Sequence, residues 1–111
     1  MPVAHSFEAI EPSRAAIDSL PGATVLEFGT PWCGYCQAAA PLLATALQDK
    51  ADVRHVKVED GSGRRLGRSF QIKLWPTFIF LRDGKERARL TRPVDVQAID
   101  AALASIVGDD R

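Results

Sequence analysis

Cysteine is scarce in this chain: two residues among 111, at positions 33 and 36. So few cannot staple a scaffold of this size, and in a reducing compartment a close pair is expected to do chemistry or hold metal rather than brace the fold. A metal site would need further ligands, and only His5 and His55, both far away in sequence, are on offer. Neither sign of charge prevails, with 14 Lys and Arg against 14 Asp and Glu. That balance argues against nucleic acid as the main partner. No apolar run approaches the ~18 residues needed to cross a bilayer, so no membrane partner is expected. The first residues, Met1-Pro2-Val3-Ala4-His5-Ser6, lack the basic and apolar regions of a secretory signal. The location expected from this is cytoplasmic. Internal repeats, low-complexity tracts and dividing linkers are also missing, which implies one domain over residues 1–111.

What is present centres on Thr30-Pro31-Trp32-Cys33-Gly34-Tyr35-Cys36. An apolar run, Thr24–Phe28, precedes it and reads as a buried central strand. An Ala/Leu-rich stretch follows, and Cys33 to about Asp49 reads as a helix. Its apolar positions Ala39, Leu42, Leu43, Ala46 and Leu47 keep helical spacing. Pro41 lies inside that helix, where it deletes the bond to the carbonyl of Gln37. A Cys-x-x-Cys pair at a strand–helix junction reads as a dithiol redox site. The first N–H groups of a helix lack partners and carry partial positive charge, which favours a thiolate there. Cys33 is therefore the expected nucleophile. Cys36, one turn further in, is the expected resolving residue, buried and held as a thiol until a mixed disulfide forms.

The remaining elements follow from periodicity and turn chemistry. Residues 4–9 carry a weak edge-strand pattern. A helix is expected from Pro12-Ser13 to about Leu20, closed by Pro21-Gly22. A strand is expected over Val53–Val58, with Val56 and Val58 on one face and His55 and Lys57 on the other. A short helix is expected from about Arg64 to Phe70. Thr77–Leu81 is an apolar strand, joined by the hairpin signal Asp83-Gly84 to a partner at Glu86–Thr91. The last helix is expected from about Val96 to Val107, capped by Asp95 and buried through Val96, Ile99, Leu103 and Ile106. The order implies an α/β fold, with a mixed sheet of four to five strands flanked by four helices on both faces.

With these elements in place, nearly the whole chain resembles the thioredoxin family. Trp32-Cys33-Gly34-Tyr35-Cys36 is similar to the family's Trp-Cys-Gly-Pro-Cys. Pro41 matches its kinking proline, Pro76-Thr77 its cis-proline turn and Asp83-Gly84 its hairpin. Glu27 occupies the place of the family's buried aspartate, and Lys57 that of a lysine near the active site. The resemblance implies a thioredoxin fold and a thiol–disulfide oxidoreductase that reduces protein disulfides. It implies no tightly bound cofactor, a monomer, and recycling by a thioredoxin-reductase-like partner. Glu27 would accept the proton of Cys36, its burial strengthening it as a base, and Lys57 would pair with Glu27 and tune it. Trp32, Trp75 and a cis Pro76 would bind substrate, the Trp75 backbone meeting an extended chain as in strand addition.

Three departures stand out. Tyr35 replaces the proline between the cysteines, so Gly34-Tyr35 is expected to set the redox potential and is similar to the dipeptide of periplasmic disulfide isomerases. Those carry a separate dimerisation domain, which this sequence does not contain. Trp75 stands where thioredoxins usually carry a smaller aliphatic residue. Arg92-Pro93 lies near a glycine that helps thioredoxin dock its targets. Two alternatives therefore stay open: an oxidant or isomerase of the same fold, and a non-catalytic protein-interaction module. The basic run Arg64, Arg65, Arg68 and Lys73 reads as a solvated face, and His5 and His55 as surface or strand histidines.

Overall fold

Strand β1, Ala23–Gly29, is buried at every position. It is one of two inner strands of the sheet. In the computed structural model, which describes residues 6–7 and 10–107, it lies second in a four-stranded sheet of order β2-β1-β3-β4. Strand β2, Arg54–Glu59, pairs parallel to it. Strand β3, Thr77–Arg82, pairs antiparallel on its other side, and β4, Lys85–Thr91, pairs antiparallel to β3. Asp83 and Gly84 turn this hairpin with φ of 52° and 79°, the left-handed pair that a tight two-residue connection requires. A side chain at Gly84 would run into the backbone of Asp18, so glycine is needed there for space as well.

Helices cover both faces. Helix α2, Gly34–Leu47, and helix α4, Val96–Ala104, lie on one side. Their Ala39, Leu43, Leu47, Ile99 and Leu103 pack with Val25, Phe78 and Phe80 of the sheet. Helix α1, Arg14–Asp18, and helix α3, Arg65–Ser69, lie on the other. There Ile17, Leu66 and Phe70 pack with Leu26, Phe28, Val58, Ile79 and Leu81. This is the thioredoxin fold that the family resemblance implies, with four strands in the sheet. The alternation along β1 sends Leu26 and Phe28 to the α1/α3 side, and Val25 to the α2/α4 side. Glu27 shares the parity of Val25 and so leaves the strand toward α2.

The boundaries differ from expectation at element ends. Helix α1 opens at Ser13 as expected, its Oγ accepting the Ala16 N–H at 3.0 Å, but it ends early at Asp18, where Ser19 Oγ donates to the Ala15 carbonyl at 2.6 Å. Helix α4 stops at Ala104 because Ser105 turns back, its Oγ donating to the Ala102 carbonyl at 2.6 Å. Asp95 caps the start of α4 as expected, at 2.8 Å from the Ala98 N–H. Pro41 lies within α2. The strand expected over residues 4–9 falls mostly outside the described residues, as does His5; Ser6 and Phe7 are described and are not in a strand.

Candidate active site

The site forms where β1 ends and α2 begins. Gly29 closes the strand and the chain turns through Thr30, Pro31 and Trp32, held by a 3.4 Å bond from the Cys33 N–H to the Thr30 carbonyl. Cys33 is the N-cap of α2, with extended backbone at φ −78° and ψ 119°. Its Sγ accepts the Cys36 backbone N–H at 3.1 Å. The sulfur thus takes the place of the Ser or Asp oxygen that usually meets this orphan donor. Negative charge on that sulfur would strengthen both this bond and its interaction with the helix dipole. Cys33 is partly exposed, and both cysteines are free thiols.

Cys36 has opposite surroundings. It is 5% exposed, and a Cβ built on Gly29 would stand only 2.5 Å from its Sγ, so glycine at 29 is what lets the sulfur lie against the strand. Burial, reinforced by the hydrogen bond with Cys33 and by the charges of Cys33 and Glu27, pushes the Cys36 thiol up to about 12. A backbone contact with Thr30 offsets this in part. Beside it lies a cavity of about 270 Å³, whose lining includes Cys36, Glu27, Thr30, Lys57 and Phe7. Glu27 and Cys36 therefore look into one space, with the carboxylate side chain only 4% exposed.

The expected partner of Glu27 does not engage it. Lys57 is directly opposite Glu27 in the β1–β2 register. Its Nζ instead sits over the Phe7 ring, 4.5 Å from the centroid. The carboxylate is met by His55, whose Nε2 is 2.9 Å from Glu27 Oε1, with the imidazole side chain 3% exposed. The reading of His55 as a surface or plain strand histidine is therefore corrected. An ionised carboxylate can only accept, so with the charge on Glu27 the proton lies on Nε2. The short imidazole reaches the carboxylate diagonally across the strands, while the long lysine stem carries its charge past it. The period-two pattern of β2 places His55 and Lys57 on one face but does not say which of them meets Glu27.

On the outer side, Trp32 is 69% and Tyr35 59% exposed, large apolar surface beside the Cys33 sulfur. The Trp75–Pro76 bond is cis, as the resemblance implies. Trp75 is half-buried and anchored, its indole N–H donating to Asp60 Oδ2 at 2.9 Å. Arg92 joins the two rims. Its guanidinium lies over the Tyr35 ring, 3.8 Å from the centroid, and its Nε donates to the Trp75 carbonyl at 2.8 Å. Gly34 has open space around it. Of the basic run, Arg65, Arg68 and Lys73 are exposed, while Arg64 is half-buried and donates to the Glu59 carbonyl.

A partly exposed N-capping sulfur backed by a buried thiol, on an α/β sheet with a cis-proline loop, suits dithiol–disulfide exchange. Comparison with known proteins agrees. The thioredoxin family model matches residues 13–105. The structure of thioredoxin 2 from Pseudomonas aeruginosa in its reduced form superposes with a TM-score of 0.81 at 56% identity, covering 91% of this chain and 94% of that one. Among curated relatives, protein disulfide-isomerase erp38 of Neurospora crassa is 35% identical over 84% of this chain, which spans 28% of its length. A thioredoxin of Mycoplasmoides gallisepticum is 36% identical over 55% of this chain and 61% of its own length. The chain belongs to the thioredoxin family, and its Cys33–Cys36 pair fits that family's dithiol site.

Proposed function

We propose that this chain reduces protein disulfides through the Cys33-Gly34-Tyr35-Cys36 site, Cys33 attacking and Cys36 resolving. One observation carries the assignment of roles: the sulfur at 33 is partly exposed and hydrogen-bonded at a helix N-cap, while the thiol at 36 is buried and pushed up to about 12. The Cys33 thiolate attacks one sulfur of the substrate disulfide, and the other sulfur leaves as a thiolate that takes a proton. Cys36 then loses its proton, attacks Cys33 Sγ and releases the second substrate thiol. Two electrons have passed to the substrate, and the chain is left with a Cys33–Cys36 disulfide.

Glu27 is the proposed acceptor of the Cys36 proton across their shared cavity, with His55 holding its carboxylate and Lys57 placing a positive charge on the same lining. Trp32, the Trp75 backbone and Pro76 are the proposed docking surface, and Gly34-Tyr35 tunes the potential. A cytoplasmic monomer recycled by a thioredoxin-reductase-like partner completes the reading. The 56% identity over nearly the full length of a thioredoxin supports the reductant reading. The likeness to a disulfide isomerase and the tyrosine between the cysteines favour the second reading, an isomerase or oxidant.

Two measurements test these readings. Insulin reduction with dithiothreitol should be accelerated by the chain. Equilibration against glutathione should then give a potential near thioredoxin's, about −270 mV; a value near that of protein disulfide isomerase, about −180 mV, would move the assignment to the isomerase.

A further inference from the structure

Arg92 is a long, charged residue in a backbone conformation that favours glycine, with φ of 53°. Strained positions of this kind persist where the surroundings hold them, and they cluster at binding sites. Two contacts hold this one: the stack on Tyr35 and the bond to the Trp75 carbonyl. Together they bring Arg92, from the β4–α4 connection, against both the turn that carries the cysteines and the loop before Pro76. A groove of about 410 Å³ opens beside it, lined by Tyr35, Ala38, Leu42, Arg92, Pro93 and Val94. Its walls are apolar, with Val94 85% exposed, and contain no carboxylate.

A guanidinium has five N–H donors. Arg92 donates Nε to Trp75 and has no carboxylate partner among the described residues. Its two terminal nitrogens therefore remain for a ligand. The fork geometry of arginine suits a carboxylate, which can take two parallel N–H bonds. Because the guanidinium is already pinned on an aromatic ring, little of its freedom remains to be lost on binding. The formal net charge of the chain is zero, so selection by charge would be local to this groove rather than the work of a long-range field.

We propose that Arg92 makes this surface select disulfides flanked by an acidic side chain: a target polypeptide places an Asp or Glu near its attacked cysteine on the Arg92 guanidinium and an apolar neighbour in the groove beside Tyr35. The proposal rests on the exchange reading of Cys33. It deepens that reading by naming the chemistry of the preferred partner.

The test uses two disulfide-bonded peptides of equal length and apolar content. One carries Glu, the other Lys, two residues from the cysteine. The readout is the ratio of their kcat/KM values within each protein, which cancels changes common to both peptides. The wild-type chain is expected to prefer the Glu peptide about fivefold, and the preference should shrink in 0.5 M salt as the pair is screened. Arg92→Gly, which suits the left-handed backbone, should bring the ratio to about one. Arg92→Glu should invert it; if that variant does not fold, the glycine variant alone decides. A wild-type ratio of one, or a ratio unchanged by Arg92→Gly, would overturn the proposal. Failure of the reading beneath it looks different: neither peptide would be reduced, and the uncharged disulfide 4,4′-dithiodipyridine would not react at Cys33.

Discussion

Cys33 and Cys36 stand one helical turn apart and face opposite worlds. Around Cys33 the chain presents Trp32 and Tyr35 to solvent, and its sulfur receives an N–H from the helix it caps. Around Cys36 it presents a packed strand, a small cavity, a carboxylate and an imidazole bonded to each other. The outer half has what is needed to meet a partner and attack. The inner half has what is needed to hold a proton until it must leave. The difference teaches that burial, hydrogen bonding and nearby charge act together to set apart two sulfurs one turn from each other, with the helix start supplying the boundary.

The largest effect should come from collapsing that division. Cys33→Ser is expected to abolish insulin reduction, whereas Cys36→Ser should still attack and accumulate a mixed disulfide visible by mass spectrometry. Equal residual turnover in the two would erase the asymmetry. Next, Glu27→Gln should slow the resolving step about 100-fold while leaving the first attack nearly intact, as single-turnover quenching would show. A loss shared equally by both steps would mean that the inner half serves structure alone.

His55→Phe sharpens the comparison through stability. It strips a buried carboxylate of its partner and should cost about 3 kcal/mol in denaturant unfolding. Adding Glu27→Leu to that variant should recover much of the loss, and a double variant no better than the single would contradict the pairing. The Cys36 thiol gives a pH test of smaller reach. Its folded value of about 12 lies above the ordinary 9.0, so the unfolded chain releases its proton first. Stability from this group is therefore complete below pH ~9 and declines as pH rises from about 9 toward 12. Chemical denaturation across that window should show the decline in the reduced protein and a shallower one in Cys36→Ala.

Much of this was legible in the residues. The dithiol, its strand and helix, the Asp83-Gly84 turn and the two-faced burial follow from spacing and turn chemistry. The cis bond before Pro76 followed from the family likeness. Two features were not readable, for one shared reason. His55 and Lys57 sit on the same face of β2, and nothing in the alternation says which side chain ends on Glu27; that depends on reach across the register. Arg92 and Tyr35 are far apart in the chain, and their stacking exists only once the β4–α4 connection folds back over α2. The C-terminal ends of α1 and α4 came earlier than expected because the Ser19 and Ser105 hydroxyls bond back to the Ala15 and Ala102 carbonyls, which apolar periodicity does not show.

The proposed roles require an accessible, reactive sulfur at residue 33 and a withheld one at residue 36. Alkylation of the reduced, folded protein with iodoacetamide between pH 7 and 9, followed by peptide mapping, tests them directly. A single adduct is expected, on Cys33, formed faster than on a free cysteine at neutral pH, with Cys36 labelled only after unfolding. Labelling of Cys36 at a comparable rate, or a Cys33 that reacts no faster than free cysteine, would contradict them.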